Sequence, residues 1–112
     1  MHKSMAIDHF ARAKKAWPIL INRAQTTCEP FTYKEISNLI GLHHRAARWF
    51  LSEIQEFCNE NELAPLQALV VNKRTRLPGE GYYGSAITLE AHRKALKKVR
   101  KEKWAKVKFK RR

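Results

Sequence analysis

The segment from Thr32 to Gly41 constrains the fold more than any other part of the chain, because it contains signals for both ends of one short helix. Thr32 and Glu35 have the spacing of a capping box, in which the threonine oxygen accepts a backbone N–H and the glutamate reaches back to the cap. Apolar residues at positions 36, 39 and 40 form one face, and Gly41 suits the left-handed conformation that follows many helices. The sequence predicts a helix that begins near Tyr33 and ends in a tight turn.

A second helix is predicted from about residue 43 to residue 60. Ala47, Phe50 and Ile54 recur at helical spacing, and Phe57 or Cys58 continues the same face. The opposite face is polar and begins with His44, Arg45 and Arg48. In a helix-turn-helix, the start of the second helix meets nucleic acid, so we predict these side chains as nucleic-acid contacts.

The apolar run from Ala68 to Val71 predicts one buried strand that ends in a turn. A basic loop with glycines follows, and we place the strand and this loop at about residues 66–84. The loop contains Lys73, Arg74 and Arg76 and would present them to phosphate as a wing; an ordinary surface hairpin with solvated cations is the alternative. Tyr82 and Tyr83 would either pack under the wing or stack on an exposed base. The predicted fold is mainly α, a winged helix-turn-helix with a short strand and wing.

Two motifs make a family resemblance specific. The first is Tyr33 followed by a short helix, Gly41 and Arg45-Ala46-Ala47-Arg48; the second is Leu66-Gln67-Ala68-Leu69-Val70-Val71 leading to Gly79-Glu80-Gly81-Tyr82-Tyr83-Gly84. Together they resemble the DNA-binding domain of alkylguanine-DNA alkyltransferases and alkyltransferase-like proteins, over roughly residues 31–84. The resemblance implies that Tyr33 presses on a DNA phosphate beside a rotated nucleotide. It also implies that Arg48 fills the gap left by the extruded base.

The chain departs from this family at the position of the nucleophile. The family's cysteine corresponds to Gln67, its histidine to Ala68 and its arginine to Leu69. A glutamine amide supplies no thiolate, so alkyl transfer is excluded at this position. Some alkyltransferase-like proteins also lack the cysteine and only bind DNA. The sequence therefore predicts no catalytic residue and no cofactor.

Positive charge is concentrated toward the C-terminal end. The 112 residues have a formal charge of +13, of which residues 92–112 contribute +11 through twelve Lys or Arg and one acid, Glu102. We predict a body at residues 1–91 and a basic C-terminal helix or tail at residues 92–112. Such an extension would give salt-sensitive affinity that depends little on sequence. A solubilising or disordered end is the alternative.

Thr88 can cap the helix of this extension, with Leu89, Leu96 and Val99 against the body. Its outward cations would be Arg93, Lys94, Lys97, Lys98, Arg100 and Lys101, and among them Arg93, Lys97, Arg100 and Lys101 are predicted DNA contacts. Beyond Lys103, the residues Trp104, Val107 and Phe109 alternate with lysines, a pattern suited to stacking on bases or lying along a backbone. A basic amphipathic helix on a membrane surface is the competing interpretation.

The N-terminal segment, Ser4 to Thr27, is predicted to be helical, with either a kink at Trp17 or a new helix that begins with Pro18. One side of it holds Met5, Phe10, Ala13, Trp17 and Leu20 or Ile21. The segment is too short, and its flanks too charged, for a signal peptide or a membrane span. We therefore expect a cytoplasmic, nucleoid-associated protein with no membrane partner.

The cysteines and histidines do not indicate a metal site. Cys28 and Cys58 are far apart and belong to no CxxC motif, which argues against a zinc ribbon and a disulfide framework. His43 and His44 are adjacent on a predicted helix, point in different directions, and have no acidic or thiol partner at ligand spacing. We predict no bound metal.

The function predicted from these features is non-catalytic binding of duplex DNA, by a sensor of a flipped or damaged base or by a structure-specific binder. The alternative is a sequence-specific transcription regulator, including one from a mobile element, whose His44, Arg45 and Arg48 read base edges in the major groove; the bulky Trp49 favours it. A small nuclease, or an RNA-binding protein, ranks third. A nuclease would use His43 or His44 with Glu35, Glu53 or Lys73 as acid and base. The oligomeric state stays open.

Overall fold

The protein is mainly helical, with 64% helix over the residues that its computed structural model describes, 8–79 and 88–110. The α-helices are α1 (His9–Gln25), α2 (Tyr33–Leu39), α3 (Ala47–Glu60) and α4 (Leu89–Lys101). Short 3₁₀ turns lie at His44–Ala46, Leu66–Leu69 and Trp104–Lys106, and the strands are β1 (Phe31–Thr32) and β2 (Val70–Val71). Of the residues named above, Ser4, Met5, Glu80, Gly81, Tyr82, Tyr83 and Gly84 lie outside the described ranges.

Helix α1 forms one wall of the core. Asp8 caps it by accepting a hydrogen bond from the N–H of Ala11 at 2.9 Å. The predicted apolar face is confirmed at Ala13, Trp17 and Leu20, which are buried. The predicted new helix at Pro18 is wrong, because α1 continues through this residue. Proline has no backbone N–H to donate to the carbonyl four residues earlier in the helix. Because Pro18 is exposed, water can supply that hydrogen bond instead.

Helix α2 has both of the end signals that the sequence predicts. The Oγ1 of Thr32 accepts from the N–H of Glu35 at 3.1 Å, and Oε1 of Glu35 accepts from the N–H of Thr32 at 2.8 Å, which completes the capping box. At the other end Gly41 has a φ of 75°. The N–H of Leu42 donates to the carbonyl of Ser37 at 2.8 Å, as in a Schellman motif.

Helix α3 begins later than predicted. Residues 44–46 form a 3₁₀ turn before it, and the side chain of His43 caps this turn by accepting from the N–H of Arg45 at 3.2 Å. The predicted apolar face is confirmed, since Ala47, Phe50 and Ile54 are fully buried. This face packs against α1, whereas Arg48 and Trp49, at the start of α3, are exposed.

The segment after α3 differs from the predicted single strand. Residues 66–69 form a buried 3₁₀ turn, and the strand β2 has only two residues. It pairs in parallel with β1, with Phe31 opposite Val70 and Thr32 opposite Val71. This pairing holds the start of α2 beside residues 66–71, although the two segments are far apart in sequence.

The C-terminal helix α4 begins as predicted, with Oγ1 of Thr88 accepting from the N–H of Ala91 at 3.1 Å. Its buried residues are His92, Ala95 and Val99. Val99 is thus confirmed as an anchor, whereas the same prediction for Leu89 is wrong because this side chain is 53% exposed. The six predicted outward cations of α4 are all exposed. The predicted boundary between residues 91 and 92 falls within α4.

The aromatic residues after α4 belong to the core. Trp104 is only 2% exposed, and its indole N–H donates to the carbonyl of Val99 at 2.7 Å. Phe109 stacks on Trp17, with ring centroids 4.9 Å apart, and on Phe10 at 4.8 Å. The prediction that Trp104 and Phe109 stack on bases is therefore wrong, because burial against α1 removes more aromatic surface from water than an exposed tail could.

Candidate nucleic-acid interface

A cleft lies where the beginning of α3 faces Tyr33 and the chain at residues 78–79. Its volume is about 420 Å³, within the range of about 300–1,000 Å³ that is usual for small-ligand sites. Four residues predicted as DNA contacts line it: Tyr33, His44, Arg45 and Arg48. The capped α2, the turn at Gly41 and the 3₁₀ turn before α3 bring these four side chains to one place.

Tyr33 joins α2 to the far wall of the cleft. Its hydroxyl oxygen accepts a hydrogen bond from the N–H of Gly79 at 2.5 Å. Burial raises the pKa of Tyr33, and the bond from Gly79 acts in the opposite direction. The phenol therefore remains protonated at neutral pH and keeps its own O–H as a donor.

His44 stands at the entrance of the cleft as an exposed side chain. Its ring lies against that of His43, with centroids 4.1 Å apart. Partial desolvation, and then the neighbouring charges of His43, Arg45 and Lys34, lower the pKa of His44 below its ordinary value of 6.5. The imidazole is therefore mostly uncharged at neutral pH, and an approaching phosphate would favour its protonated form.

Arg48 and Trp49 form a cationic and aromatic rim. The guanidinium carbon of Arg48 is 5.0 Å from the centroid of the Trp49 ring, within the range of a cation–π contact. The ring of His9 stacks on Trp49 at 5.4 Å, yet the indole remains 50% exposed. Half of a large aromatic surface is thus available at the mouth of the cleft.

Two buried amides lie at the inner end of the cleft. Nε2 of Gln67 donates to Oε1 of Gln55 at 3.3 Å, and both side chains line the cleft. Gln67 is 4% exposed, and its Oε1 is buried without a hydrogen-bond partner among the described residues. Leaving a buried acceptor unpaired costs about 1–3 kcal/mol. The sequence did not predict this site, although one glutamine within the apolar run Leu66–Val71 is a signal that could have indicated it.

The basic loop after β2 is held in a compact shape beside the cleft. Oδ1 of Asn72 accepts from the N–H of Arg74 at 2.8 Å, and the N–H of Asn72 donates to the carbonyl of Leu77 at 2.9 Å. Arg76 has a φ of 61° and donates its N–H to the carbonyl of Asn72 at 2.7 Å. Lys73, Arg74 and Arg76 are exposed, and Asn72 lines the cleft, so the three cations begin at its edge.

The cations of α4 lie apart from the cleft. None of the cleft-lining residues belongs to α4, so Arg93, Lys97, Arg100 and Lys101 form a second basic surface. Arg100 donates to the carbonyl of Thr27 at 3.3 Å, which directs it toward the end of α1. His92 connects the two surfaces, because its Nε2 lies 2.9 Å from the carbonyl of Ala68, next to Gln67.

Residues 8–79 and 88–110 contain no group of three or more His, Cys, Asp or Glu side chains that could hold a metal ion. None of the helices in this part of the chain is long and apolar enough to cross a membrane.

The cleft offers hydrogen-bond donors at its rim, an aromatic face at its mouth and an acceptor in its interior. The described residues that line it include no cysteine: Cys28 and Cys58 are buried elsewhere, and burial raises the pKa of Cys58 to about 11. The chemistry of the cleft suits binding of a planar polar group next to an anion.

No protein-family model, no curated protein and no solved structure matches the chain.

Proposed function

We propose that this protein is a non-catalytic DNA-binding protein of the alkyltransferase-like type, which acts as a winged helix-turn-helix in the cytoplasm, on the nucleoid. The observation that supports this most is the cleft itself. It gathers Tyr33, His44, Arg45 and Arg48, all four of which the sequence predicts as DNA contacts. The residue at the family's nucleophile position, Gln67, lies inside the same cleft.

Electrostatics supports nucleic acid as the partner. The chain has 23 Lys and Arg residues and a formal charge of +13; three of these cations lie on the loop at residues 73–76 and six on the outer face of α4, and all nine are exposed. Each phosphate that such cations neutralise releases condensed counterions, which favours binding at low salt. These surfaces would supply affinity, whereas the cleft would supply selectivity.

The dimensions and lining of the cleft favour the sensing of an extruded base. An unpaired or damaged base leaves the duplex at the lowest cost, so a protein that holds extruded bases selects such sites. In this proposal Arg48 occupies the gap in the duplex, Tyr33 contacts the adjacent phosphate, and the half-exposed indole of Trp49 packs on the extruded base.

The proposal is tested by fluorescence anisotropy at two salt concentrations with three probes of equal length. The probes are an undamaged duplex, the same duplex with one alkylated guanine, and a single-stranded RNA of matched sequence. We expect preference for the alkylated duplex, retained at the higher salt concentration because it does not depend on phosphate contacts alone. Preference for the RNA would contradict the DNA assignment.

A sequence-specific regulator is the second candidate, and the position of Trp49 favours it. A half-exposed indole on the first turn of α3, in contact with Arg48, is bulky for close approach to a minor groove but is accommodated in the wider major groove. This candidate predicts equal binding of the damaged and undamaged probes. It also predicts that selection from random duplexes recovers one preferred sequence, which Arg45→Ala and Arg48→Ala each alter.

A further inference from the structure

The Oε1 atom of Gln67 is a buried acceptor that the described part of the fold does not use. Its neighbours in sequence, Leu66 and Ala68, are fully buried and apolar. A leucine in place of Gln67 would avoid an unpaired acceptor among them. Because Gln67 also lines the cleft, its unpaired atom indicates a ligand that donates a hydrogen bond there.

The contact with Gln55 determines which atom of the Gln67 amide remains for a ligand. Nε2 of Gln67 donates to Oε1 of Gln55, so the atom that remains for a ligand is the oxygen. The terminal torsion of a glutamine side chain is broad, which allows a small rotation of the amide toward a ligand without leaving a preferred rotamer. The inner end of the cleft therefore offers an acceptor, whereas Arg45 and Arg48 at the rim offer only donors.

We infer that Gln67 is a specificity-determining residue that accepts a hydrogen bond from an exocyclic amino group of an extruded purine. This inference rests on the proposed function, since it requires that a base enters the cleft. A purine with an amino group pairs with Oε1 of Gln67 and presents ring nitrogens or a carbonyl to the arginines. A purine that lacks the amino group leaves the acceptor unpaired, and its complex is weaker.

The test uses duplexes in which one base faces an abasic site, so that extrusion is cheap for every probe. Two matched pairs differ only by an amino group: adenine against purine, and guanine against hypoxanthine. We expect the wild-type protein to bind the amino member of at least one pair about three- to tenfold more tightly, as one hydrogen bond to a buried acceptor allows. Gln67→Leu should reduce that ratio to about one while preserving binding to intact duplex, which depends on phosphate contacts.

Ser37 provides a matched control. Its Oγ, on α2, is also buried without a partner in residues 8–79 and 88–110, and it does not line the cleft, so Ser37→Ala removes an equivalent atom elsewhere. This variant should keep the wild-type ratio. Gln67→Met serves as a second replacement of similar length if Gln67→Leu does not fold, and thermal unfolding identifies a folding defect.

The outcomes separate this inference from the proposed function. The role of Gln67 alone is overturned by either of two results. In the first, the abasic-site duplexes bind tightly but neither pair shows a preference for the amino member. In the second, the preference exists but Gln67→Leu preserves it. Equal binding of all these duplexes and an intact duplex overturns both, because no base then enters the cleft.

Discussion

The hydroxyl of Tyr33 and the backbone N–H of Gly79 are joined by a hydrogen bond of 2.5 Å, across 46 positions of sequence. This bond ties the first turn of α2 to the segment that follows the basic loop. A Cβ atom at Gly79 would lie 3.0 Å from the same hydroxyl, so a larger residue at position 79 would have to displace the tyrosine ring by a few tenths of an ångström. The two walls of the cleft are therefore fixed relative to each other before any ligand binds.

Tyr33→Phe should lower the free energy of unfolding by about 1 kcal/mol, because the Gly79 N–H loses its acceptor while the ring remains packed. Urea denaturation followed by tryptophan fluorescence measures this change. Asn38→Ala, at an exposed position of the same helix, is the control and should leave stability nearly unchanged. Equal stability of Tyr33→Phe and wild type would show that the bond contributes nothing in solution.

Trp104→Ala should destabilise the protein by about 3–5 kcal/mol, because it removes a buried indole and leaves a cavity beside Trp17. Chemical denaturation measures the loss, and Lys106→Ala, an exposed neighbour, provides the comparison. If the segment after α4 were a disordered tail, the two variants would be equally stable.

Neutralising cations on α4 should weaken DNA binding uniformly across sequences and flatten its salt dependence. The double variant Lys97→Gln/Lys101→Gln is expected to reduce the salt slope by about 0.9 for each phosphate that the protein no longer neutralises. Lys14→Gln/Lys15→Gln removes the same charge from exposed positions on α1. Equal effects of the two double variants would indicate that net charge alone matters and that α4 does not bind DNA directly.

Arg48→Ala and Arg74→Ala should affect binding differently. Arg48 lines the cleft, so its loss is expected to cost about 1–3 kcal/mol of preference for the alkylated duplex over the undamaged one. Arg74 is exposed on the basic loop, and its loss should weaken binding to both duplexes by the same factor. Anisotropy titrations of both variants against both duplexes give the comparison. A loss of preference in Arg74→Ala with none in Arg48→Ala would reverse the assignment of roles.

DNA affinity should increase as the pH falls from about 8 to about 5.5, a range that includes the ordinary pKa of histidine. The pKa of His44 is lowered in the free protein, and a nearby phosphate raises it, so binding takes up a proton. Proton uptake on binding makes the complex more favourable below the pKa of the bound state, and the gain disappears above it. Titrations across this range with His44→Gln should show a smaller pH dependence. An unchanged pH profile would show that His44 does not face phosphate.

The sequence predicts those features that depend on neighbours a few residues away. The capping box of Thr32 and Glu35 and the left-handed Gly41 involve local hydrogen bonds, so residue type and spacing are sufficient to identify them. Those same local signals place Tyr33 and Arg48 close enough to line one cleft.

The features that sequence did not predict depend on distant partners. Trp104 is buried because it packs against Trp17, which lies far away in the sequence. An aromatic residue among lysines has the same local pattern whether its segment is buried or exposed, so the local sequence does not predict this burial. The parallel pairing of Phe31 with Val70 involves strands of two residues, too short for an alternating pattern to appear. Gln67 is marked in the sequence only as a lone polar residue in the apolar run Leu66–Val71, whereas its burial and its unpaired oxygen depend on the packing around it.

The stacking of Phe109 on Phe10 and Trp17 makes folding depend on contacts between segments far apart in the chain. Contacts of such long sequence separation slow folding, because a large loop must close before the contacts form. A growing chain on the ribosome cannot complete this core until residue 109 has emerged. A protease that removes the lysine-rich segment after α4 would therefore also remove Trp104 and Phe109 from the core.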